Sequence, residues 1–187
     1  MTTEELLALR EAGTDRWLIR GKLRERPPPT SSQVSPTRNR FHSRTMTLVA
    51  TELELWLRQQ AQPRGQVLTG DAGLRLRTDP DTTVGVDVAY VAADVLAAQT
   101  KDSTIVTGVP VLAVEILSPN DVLEDVNEKI DVYLGAGARQ VWVLDPHRRT
   151  ATVYRPGSEP ELFNARQELD GGADLPGFRV AVASLFG

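Results

Sequence analysis

A ten-residue run near the middle of the chain constrains the fold more than any other feature: VPVLAVEILS, residues 109–118. It is apolar almost throughout, which is typical of a strand that is buried on both faces of a sheet. Glu115 does not fit this pattern, because it lies between Val114 and Ile116. An ionised carboxylate in such surroundings is costly unless it is paired or binds a cation. The run therefore predicts a central strand whose acid has a purpose other than packing.

Shorter patterns on either side of this run predict the other elements of the fold. Before it come a capped helix that starts at Thr3 and ends near Gly13, a strand pair in RWLIRGKLRE that turns at Gly21, a long helix that follows Ser43, and the strands QVLTG, AGLRLR and TVGVDVAYV. After it come a helix over residues 121–137 capped by Asn120 or Asp121, a hairpin of QVWVLD and TATVYRP, and a tail in which Leu175, Phe178, Leu185 and Phe186 close the core. This order predicts a single mixed α/β domain over residues 1–187.

The composition excludes several classes of protein and of site. The chain has no Cys, so disulfides, zinc–thiolate sites, iron–sulfur clusters and thiol nucleophiles are excluded. It has no apolar stretch of about 18 residues, which excludes a membrane-spanning helix, and its charged start MTTEELLALREAG lacks the pattern of a secretory signal. We therefore expect a cytoplasmic protein. Because the chain has two His residues, we also expect any metal ion to be held mainly by oxygen.

A second acid lies in apolar surroundings within another predicted strand. Asp87 is flanked by Val86 and Val88 in TVGVDVAYV. If this strand neighbours the strand of Glu115, the two carboxylates can converge on one hard cation such as Mg²⁺, which is often held by one or two carboxylates. The alternative is that each acid pairs with an Arg or caps a loop, and the pattern leaves both interpretations open.

Lys129 lies in the helix that follows the strand of Glu115. If that helix packs beside its parent strand, the ammonium group can point toward the two carboxylates, where it would orient a water or neutralise charge on a phosphate. The alternative is an exposed Lys paired with Asp125 at i, i+4, and for Lys129 taken alone this alternative is favoured.

The net charge of −4 conceals a basic segment over residues 16–44. Its eight cations, opposed by Glu25, are Arg16, Arg20, Lys22, Arg24, Arg26, Arg38, Arg40 and Arg44. The segment also contains three consecutive Pro residues at 27–29, which predict an extended loop. It is either a solvated connector, which residue counts favour, or an arm that contacts phosphates.

These motifs together resemble the Uma-two family of restriction-endonuclease-like proteins, within the PD-(D/E)XK nuclease superfamily. The resemblance rests on an acid in a β-hairpin, then VEILSP, then Glu-Lys and Tyr on a helix, then GAG and VWVLDP. It extends from LLALREAG through RWLIRGKL and SPTRNRFHSR to LPGFRVAVASLF. The block from Val111 to Pro146 is its most specific part.

The resemblance implies a restriction-endonuclease-like fold, in which a central mixed β-sheet is flanked by helices, and metal-dependent cleavage of DNA. Asp87 matches the first acid of the superfamily motif and Glu115 the second. The backbone carbonyl of Ile116 is implied as a third ligand of Mg²⁺ or Mn²⁺. Leu117 stands where many relatives have Lys, so the resemblance assigns the lysine role to Lys129.

The chain also departs from the family pattern. Trp17 and Lys22 stand where many similar proteins have acids, and an acid near Trp17 often assists metal binding in this superfamily. His42 matches a His that similar proteins often carry before the long helix. A general base is one role for it, but we favour a phosphate or water contact, or simple surface exposure. We predict nucleic-acid contacts by Arg38, Arg40, His42 and Arg44.

Three functions follow as hypotheses. The first is a Mg²⁺-dependent or Mn²⁺-dependent endonuclease in which Asp87, Glu115 and Lys129 are the catalytic residues. The second is a nucleic-acid-binding protein that keeps the fold with little activity, and the third is an assembly protein whose acids pair internally. The resemblance further implies a homodimer and DNA as the partner. The residues themselves do not reveal the substrate sequence, whether DNA or RNA is bound, whether one metal ion or two bind, or the biological role.

Overall fold

A sheet of nine strands organises the described part of the chain, which comprises residues 1–9, 15–26, 39–119 and 121–187 of the computed structural model. Its strands are β1 (Asp15–Ile19), β2 (Lys22–Arg26), β3 (Gln66–Arg77), β4 (Thr82–Val91), β5 (Val106–Thr107), β6 (Leu112–Ile116), β7 (Gln140–Asp145), β8 (Thr150–Tyr154) and β9 (Glu161–Asn164). The other elements are a small sheet of β10 (Glu168–Asp170) and β11 (Arg179–Ala181), the helices α1 (Thr3–Leu7), α2 (Arg40–Leu57), α3 (Ala93–Ala97) and α4 (Leu123–Ala136), and a 3-10 helix (Val182–Leu185).

The sheet is mixed, as the sequence predicts. The strand order is β2-β1-β4-β6-β7-β8-β9, with β3 paired to β4 and β5 paired to β3. Strands β6 and β7 run parallel because α4 connects them, whereas the other neighbours on this path are antiparallel. The predicted hairpins β1–β2 and β7–β8 are both present.

One edge of β4 is shared by two strands, which leaves a gap in the sheet. Strand β3 pairs with β4 along its length. On the other edge, β1 pairs with β4 at Thr83 and β6 pairs with it from Val88 to Tyr90. Asp87 therefore lies where the sheet opens between β1 and β6.

Helices cover both faces of the sheet around two apolar clusters. On one face, α2 contributes Val49, Leu53 and Trp56 to a cluster that also contains Trp142 and the C-terminal residues. These C-terminal residues include Leu175, Phe178 and Leu185, which are buried as predicted, with Phe186 packed against them. On the other face, α4 packs on β1, β4, β6 and β7 through the side chains Val126, Ile130 and Tyr133. The flanked mixed sheet confirms the predicted fold class.

The prediction that the long helix follows Ser43 is wrong, because α2 begins at Arg40. The side chain of Asn39 accepts hydrogen bonds from the amides of Phe41 and His42, so it caps the helix one turn earlier. His42 is consequently part of the helix, and its side chain faces the sheet. Most of the connector before Asn39, residues 27–38, lies outside the described residues, and so does Arg38.

Two other helix boundaries also differ from the sequence prediction. Helix α1 is capped by Thr2 in a capping box with Glu5, and it ends at Leu7 rather than near Gly13. Helix α4 has Val122 at its N-cap without a side-chain bond, because Asp121 accepts the amide of Ser118 instead. Asn120, the other predicted cap, lies outside the described residues. At the other end of α4, Gly137 is the C-cap, with φ of 112° in the left-handed region.

A buried carboxylate fastens α1 to β4. Asp81 is 7% exposed and accepts hydrogen bonds from the Thr3 amide at 2.6 Å and the Thr3 hydroxyl at 2.7 Å. Arg75 Nη2 donates to both of its oxygens, at 3.0 Å and 2.8 Å. Burial alone would raise the pKa of Asp81, but the bonds from Thr3 and Arg75 outweigh it and lower the pKa to about 2. We call Asp81, Thr3 and Arg75 the Asp81 network.

No helix in the described ranges is long and apolar enough to cross a membrane.

Candidate active site

Glu115 and Lys129 form an ion pair in the layer between the sheet and α4. Alternation along β6 turns Ala113 and Glu115 toward the same face, the one that α4 covers. Lys129 Nζ lies 2.9 Å from Glu115 Oε2 and 3.1 Å from the carbonyl oxygen of Gly85. The Lys129 side chain is 19% exposed and that of Glu115 is 10% exposed. Lys129 is therefore partly buried and paired with Glu115, and the alternative of an exposed Lys129 paired with Asp125 is wrong.

Tyr133 completes the hydrogen bonding of Glu115. It lies four residues after Lys129, one helical turn further along α4, so both side chains reach the same place. Its hydroxyl donates to Glu115 Oε1 at 2.7 Å, and the ring is fully buried. The sequence analysis noted Tyr133 in the family motif but gave it no role in the site. The sequence signal for this role was a Tyr four residues after Lys129 on the same helix. An ordinary core residue has the same spacing, so the signal was not distinctive.

Asp87 lies at the gap in the sheet and is contacted from two directions. The amide of Ile116 donates to its Oδ2 at 2.8 Å, which links the two predicted metal-binding strands directly. His42 Nε2 approaches the same oxygen at 3.2 Å from α2, an ion-pair distance without the geometry of a hydrogen bond. Among the described residues, no donor reaches Oδ1.

His42 does not occupy the surface position that the sequence analysis favoured. Its side chain is 0% exposed, so the predicted contact with nucleic acid at this residue is wrong. The early start of α2 turns the imidazole into the protein, where it lies against Asp87. Neither ring nitrogen of His42 is hydrogen-bonded to a described residue. His42 is therefore placed to support Asp87 from behind rather than to touch a substrate.

The two acids have pKa values that are displaced in opposite directions. Burial acts to raise the pKa of Asp87, but the His42 imidazole and the Ile116 amide outweigh it and lower the pKa. Burial raises the pKa of Glu115, and the charge of Asp87 adds to this effect, while Lys129 offsets part of it. The site therefore disfavours negative charge on Glu115 unless further positive charge is nearby.

Lys129 remains a cation in this setting. Burial acts to lower its pKa, but the carboxylates of Glu115 and Asp87 outweigh burial, so the pKa is raised. A Lys that holds its proton donates hydrogen bonds and stabilises negative charge, but it cannot accept a proton from water.

A cleft of about 460 Å³ gives access to these groups. Asp87, Glu115, Ile116 and Lys129 line it together, so the structure brings the four predicted site residues to one place. Its walls also include three acids to which the sequence analysis gave no role in the site: Asp15, Asp71 and Asp121. Trp17, which the sequence analysis placed at the position of an acid in similar proteins, lines it as well.

The donor chemistry of the cleft fits a hard divalent cation. Within the described residues, no group of three or more His, Asp or Glu side chains is arranged as a metal site. Two carboxylates are nevertheless the usual protein contribution to a Mg²⁺ site, which is completed by waters and phosphate oxygens. Asp87 Oδ1 has no described donor, and Lys129 offsets only part of the effect that burial and the Asp87 charge have on the pKa of Glu115. The role of the Ile116 carbonyl stays a prediction.

The predicted basic contacts lie at the start of α2. Arg40 and Arg44 are exposed there, and the Arg40 guanidinium lies 4.6 Å from the centre of the Phe41 ring. Their contact with nucleic acid stays a prediction.

Comparisons with known proteins agree with this fold. The family model described as "Uma2: Putative restriction endonuclease" matches residues 4–183. A similar solved structure is that of a putative nuclease belonging to DUF820 from Anabaena variabilis ATCC 29413. The match has a TM-score of 0.76 and 20% sequence identity, and it covers 100% of this chain and 97% of that chain. No match was found among curated proteins. Since the family model spans nearly the whole sequence, the chain belongs to the Uma2 family of putative restriction endonucleases.

Proposed function

We propose that this protein is a divalent-metal-dependent endonuclease that hydrolyses phosphodiester bonds of DNA. One observation carries the proposal: Asp87, Glu115 and Lys129 line one cleft, where Asp87 accepts the backbone amide of Ile116, next to Glu115, and Lys129 pairs with Glu115. Family membership supports it, because the family model is described as "Putative restriction endonuclease".

Each group has a distinct role in this proposal. Asp87 and Glu115 hold Mg²⁺ or Mn²⁺, with the carbonyl of Ile116 as a third protein ligand. The bound ion supplies Lewis acidity, which lowers the pKa of a water and polarises the phosphate. Lys129 positions the attacking water and stabilises the charge that develops on the phosphate oxygens. The water oxygen bonds to phosphorus as the bond to the leaving oxygen breaks, and the leaving oxygen takes up a proton from solvent.

The raised pKa of Lys129 determines which of these roles it can perform. As a cation, it donates hydrogen bonds at the cleft but does not remove the proton of water. Lys129 is therefore not the base that accepts the proton of the attacking water, and that proton passes to solvent.

Plasmid cleavage tests the proposal. Supercoiled plasmid is incubated with the wild type, Asp87→Asn or Glu115→Gln, in Mg²⁺, Mn²⁺ or EDTA. We expect metal-dependent nicking by the wild type and a loss of at least about 100-fold in either variant, as is common when a group that stabilises the transition state is removed. Asp79→Asn, at an exposed acid in the β3–β4 turn, is a control with the same change in charge as Asp87→Asn.

Two outcomes would contradict the proposal. Undiminished cleavage by both site variants would assign the activity to a contaminant. Binding of duplex DNA by the wild type without turnover in any divalent metal would favour the second candidate described below.

That second candidate is a nucleic-acid-binding protein of the same fold with little activity. Trp17 favours it, because this residue is 5% exposed and lines the cleft at the position where similar proteins have an acid. The Glu115–Lys129 pair also satisfies both side chains without a metal ion.

The proposed enzyme acts as a homodimer, because nucleases that resemble this family often cut two strands with two subunits. Light scattering coupled to size-exclusion chromatography checks this, and particles of 20.5 kDa alone would contradict it.

A further inference from the structure

A second depression lies beside the cleft on the α4 side of the sheet, with a volume of about 370 Å³. Its four cations come from the β1–β2 hairpin and the end of β3: Arg20, Lys22, Arg24 and Arg77. We call these residues and their surroundings the basic groove. Three of these residues belong to the basic segment, which the sequence analysis left open as a solvated connector or an arm that contacts phosphates; it did not include Arg77.

The hairpin turn that carries Arg20 is fixed to β4. Arg20 has a φ of 51°, in the left-handed region, and its amide donates to Thr82 Oγ1 at 3.1 Å. The amide of Gly21 donates to the carbonyl oxygen of Asp81 at 2.7 Å. The backbone beneath the cations is therefore held in place, which reduces the entropy lost when they bind a partner.

The groove has more cationic than acidic side chains. Arg24 makes two bonds to Glu128, at 2.8 Å and 3.1 Å, so its charge is satisfied. The remaining acid in the groove lining is Asp131. The exposed side chains of Arg20, Lys22 and Arg77 have no hydrogen-bond or ion-pair partner among the described residues. Three cations against one acid leave a surplus of positive charge that suits an anionic partner.

The groove and the cleft are lined by neighbouring residues of β1 and α4. Trp17 lines the cleft and Ile19 lines the groove, two residues further along β1, a separation of about 7 Å. On α4, Lys129 lines the cleft while its neighbour Glu128 lines the groove. Phosphates recur about every 3.4 Å along each strand of duplex DNA. A duplex whose scissile phosphate enters the cleft therefore has other phosphates within reach of the groove.

We propose that the basic groove binds the phosphate backbone of duplex DNA next to the phosphate that enters the cleft. The location of the reacting phosphate rests on the proposed function, whereas the binding itself is measurable without cleavage. Because backbone contacts carry no sequence information, the groove sets the position of the duplex and not its sequence.

The test measures the salt dependence of binding to a fluorescein-labelled 20-base-pair duplex. All proteins carry Glu115→Gln, so that binding is separated from cleavage, and titrations are run in Mg²⁺ and in EDTA. The groove variant combines Arg20→Gln, Lys22→Gln and Arg77→Gln. Its control removes three exposed cations outside both depressions, by Arg64→Gln, Lys101→Gln and Arg166→Gln.

We expect the groove variant to lose about two to three units of the slope of log K against log salt, because each phosphate contact contributes about 0.9. Its affinity at about 0.1 M salt should fall at least about tenfold, while the control stays within about threefold of the parent. Equal losses in both variants, or no binding by the parent protein, would overturn the proposal. Metal-dependent plasmid cleavage by the wild type would still stand in either case, so the two proposals fail separately.

Discussion

Two buried carboxylates in this protein, Asp81 and Glu115, each pair with a cation, yet burial affects them differently. In the Asp81 network, the hydrogen bonds from Thr3 and Arg75 outweigh the effect of burial, and the pKa of Asp81 is lowered to about 2. In the cleft, burial dominates and the pKa of Glu115 is raised.

The difference lies in the depth of burial, in the donors and in the neighbouring charge. Asp81 accepts four hydrogen bonds from described residues, two of them from Arg75. Glu115 accepts one from Lys129 and one from Tyr133, and the carboxylate of Asp87 lies nearby. The comparison teaches that an ion pair alone does not identify a structural or a functional acid. What distinguishes them is the negative charge that remains unbalanced around Glu115. A divalent cation would supply the positive charge that balances it.

The largest expected effect is the loss of metal-linked stability in Glu115→Gln. At a metal concentration about 100 times the Kd, binding to the folded state should raise the free energy of unfolding of the wild type by about 2.7 kcal/mol. Glu115→Gln should gain almost none of this, whereas Asp81→Asn should keep it because Asp81 lies outside the cleft. Chemical denaturation in Mg²⁺, Mn²⁺ and EDTA measures the gain. An equal gain in Glu115→Gln would mean that the ion binds elsewhere.

The next effect is the acid sensitivity that Asp81 confers. The pKa of Asp81 in the folded state is below its ordinary value of 3.8, so folding favours the charged form. Asp81 therefore contributes about 2 kcal/mol to the free energy of unfolding. This contribution is complete above about pH 4 and is lost as the pH falls toward about 2. Asp81→Asn should be less stable at neutral pH and should lack this part of the acid dependence. Parallel stability curves for the two proteins between about pH 2 and 5 would contradict the assignment.

The smallest effect concerns the hydroxyl of Tyr133. Tyr133→Phe removes a 2.7 Å hydrogen bond to buried Glu115, which should lower the free energy of unfolding by about 1 kcal/mol. Tyr154→Phe is the matched control, because the Tyr154 hydroxyl has no described partner and its removal should change little. Urea denaturation compares them. Equal values for the two variants would show that the Glu115 cluster does not depend on this donor.

The sequence predicted the elements of this protein that are determined by the periodicity of apolar residues. Glu115 was recognisable because a polar residue interrupted an apolar strand, and Lys129 followed on the next helix. The mixed sheet and its hairpins followed from alternation and turn residues. The Uma-two resemblance, carried by the block from Val111 to Pro146, agrees with the family model that matches the chain.

The sequence did not predict features that depend on a single cap or on the tertiary arrangement. Asn39 starts α2 one turn early, and this local bond determines that His42 is buried against Asp87. Asp121 satisfies a loop amide rather than the start of α4. The register shift between Thr69 and Ala72, which merges two predicted strands into β3, also depends on pairing with β4.

The shared edge of β4 has a consequence for how this fold can vary. Strand β1, with the basic groove beside it, joins β4 at Thr83, and the strand of Glu115 joins it at Val88. These positions are five residues apart, about 17 Å of extended chain. One continuous backbone segment therefore fixes the offset between the hairpin and the carboxylates. Substitutions in the β1–β2 hairpin can alter the basic groove while the spacing of the Asp87 and Glu115 carboxylates stays constant.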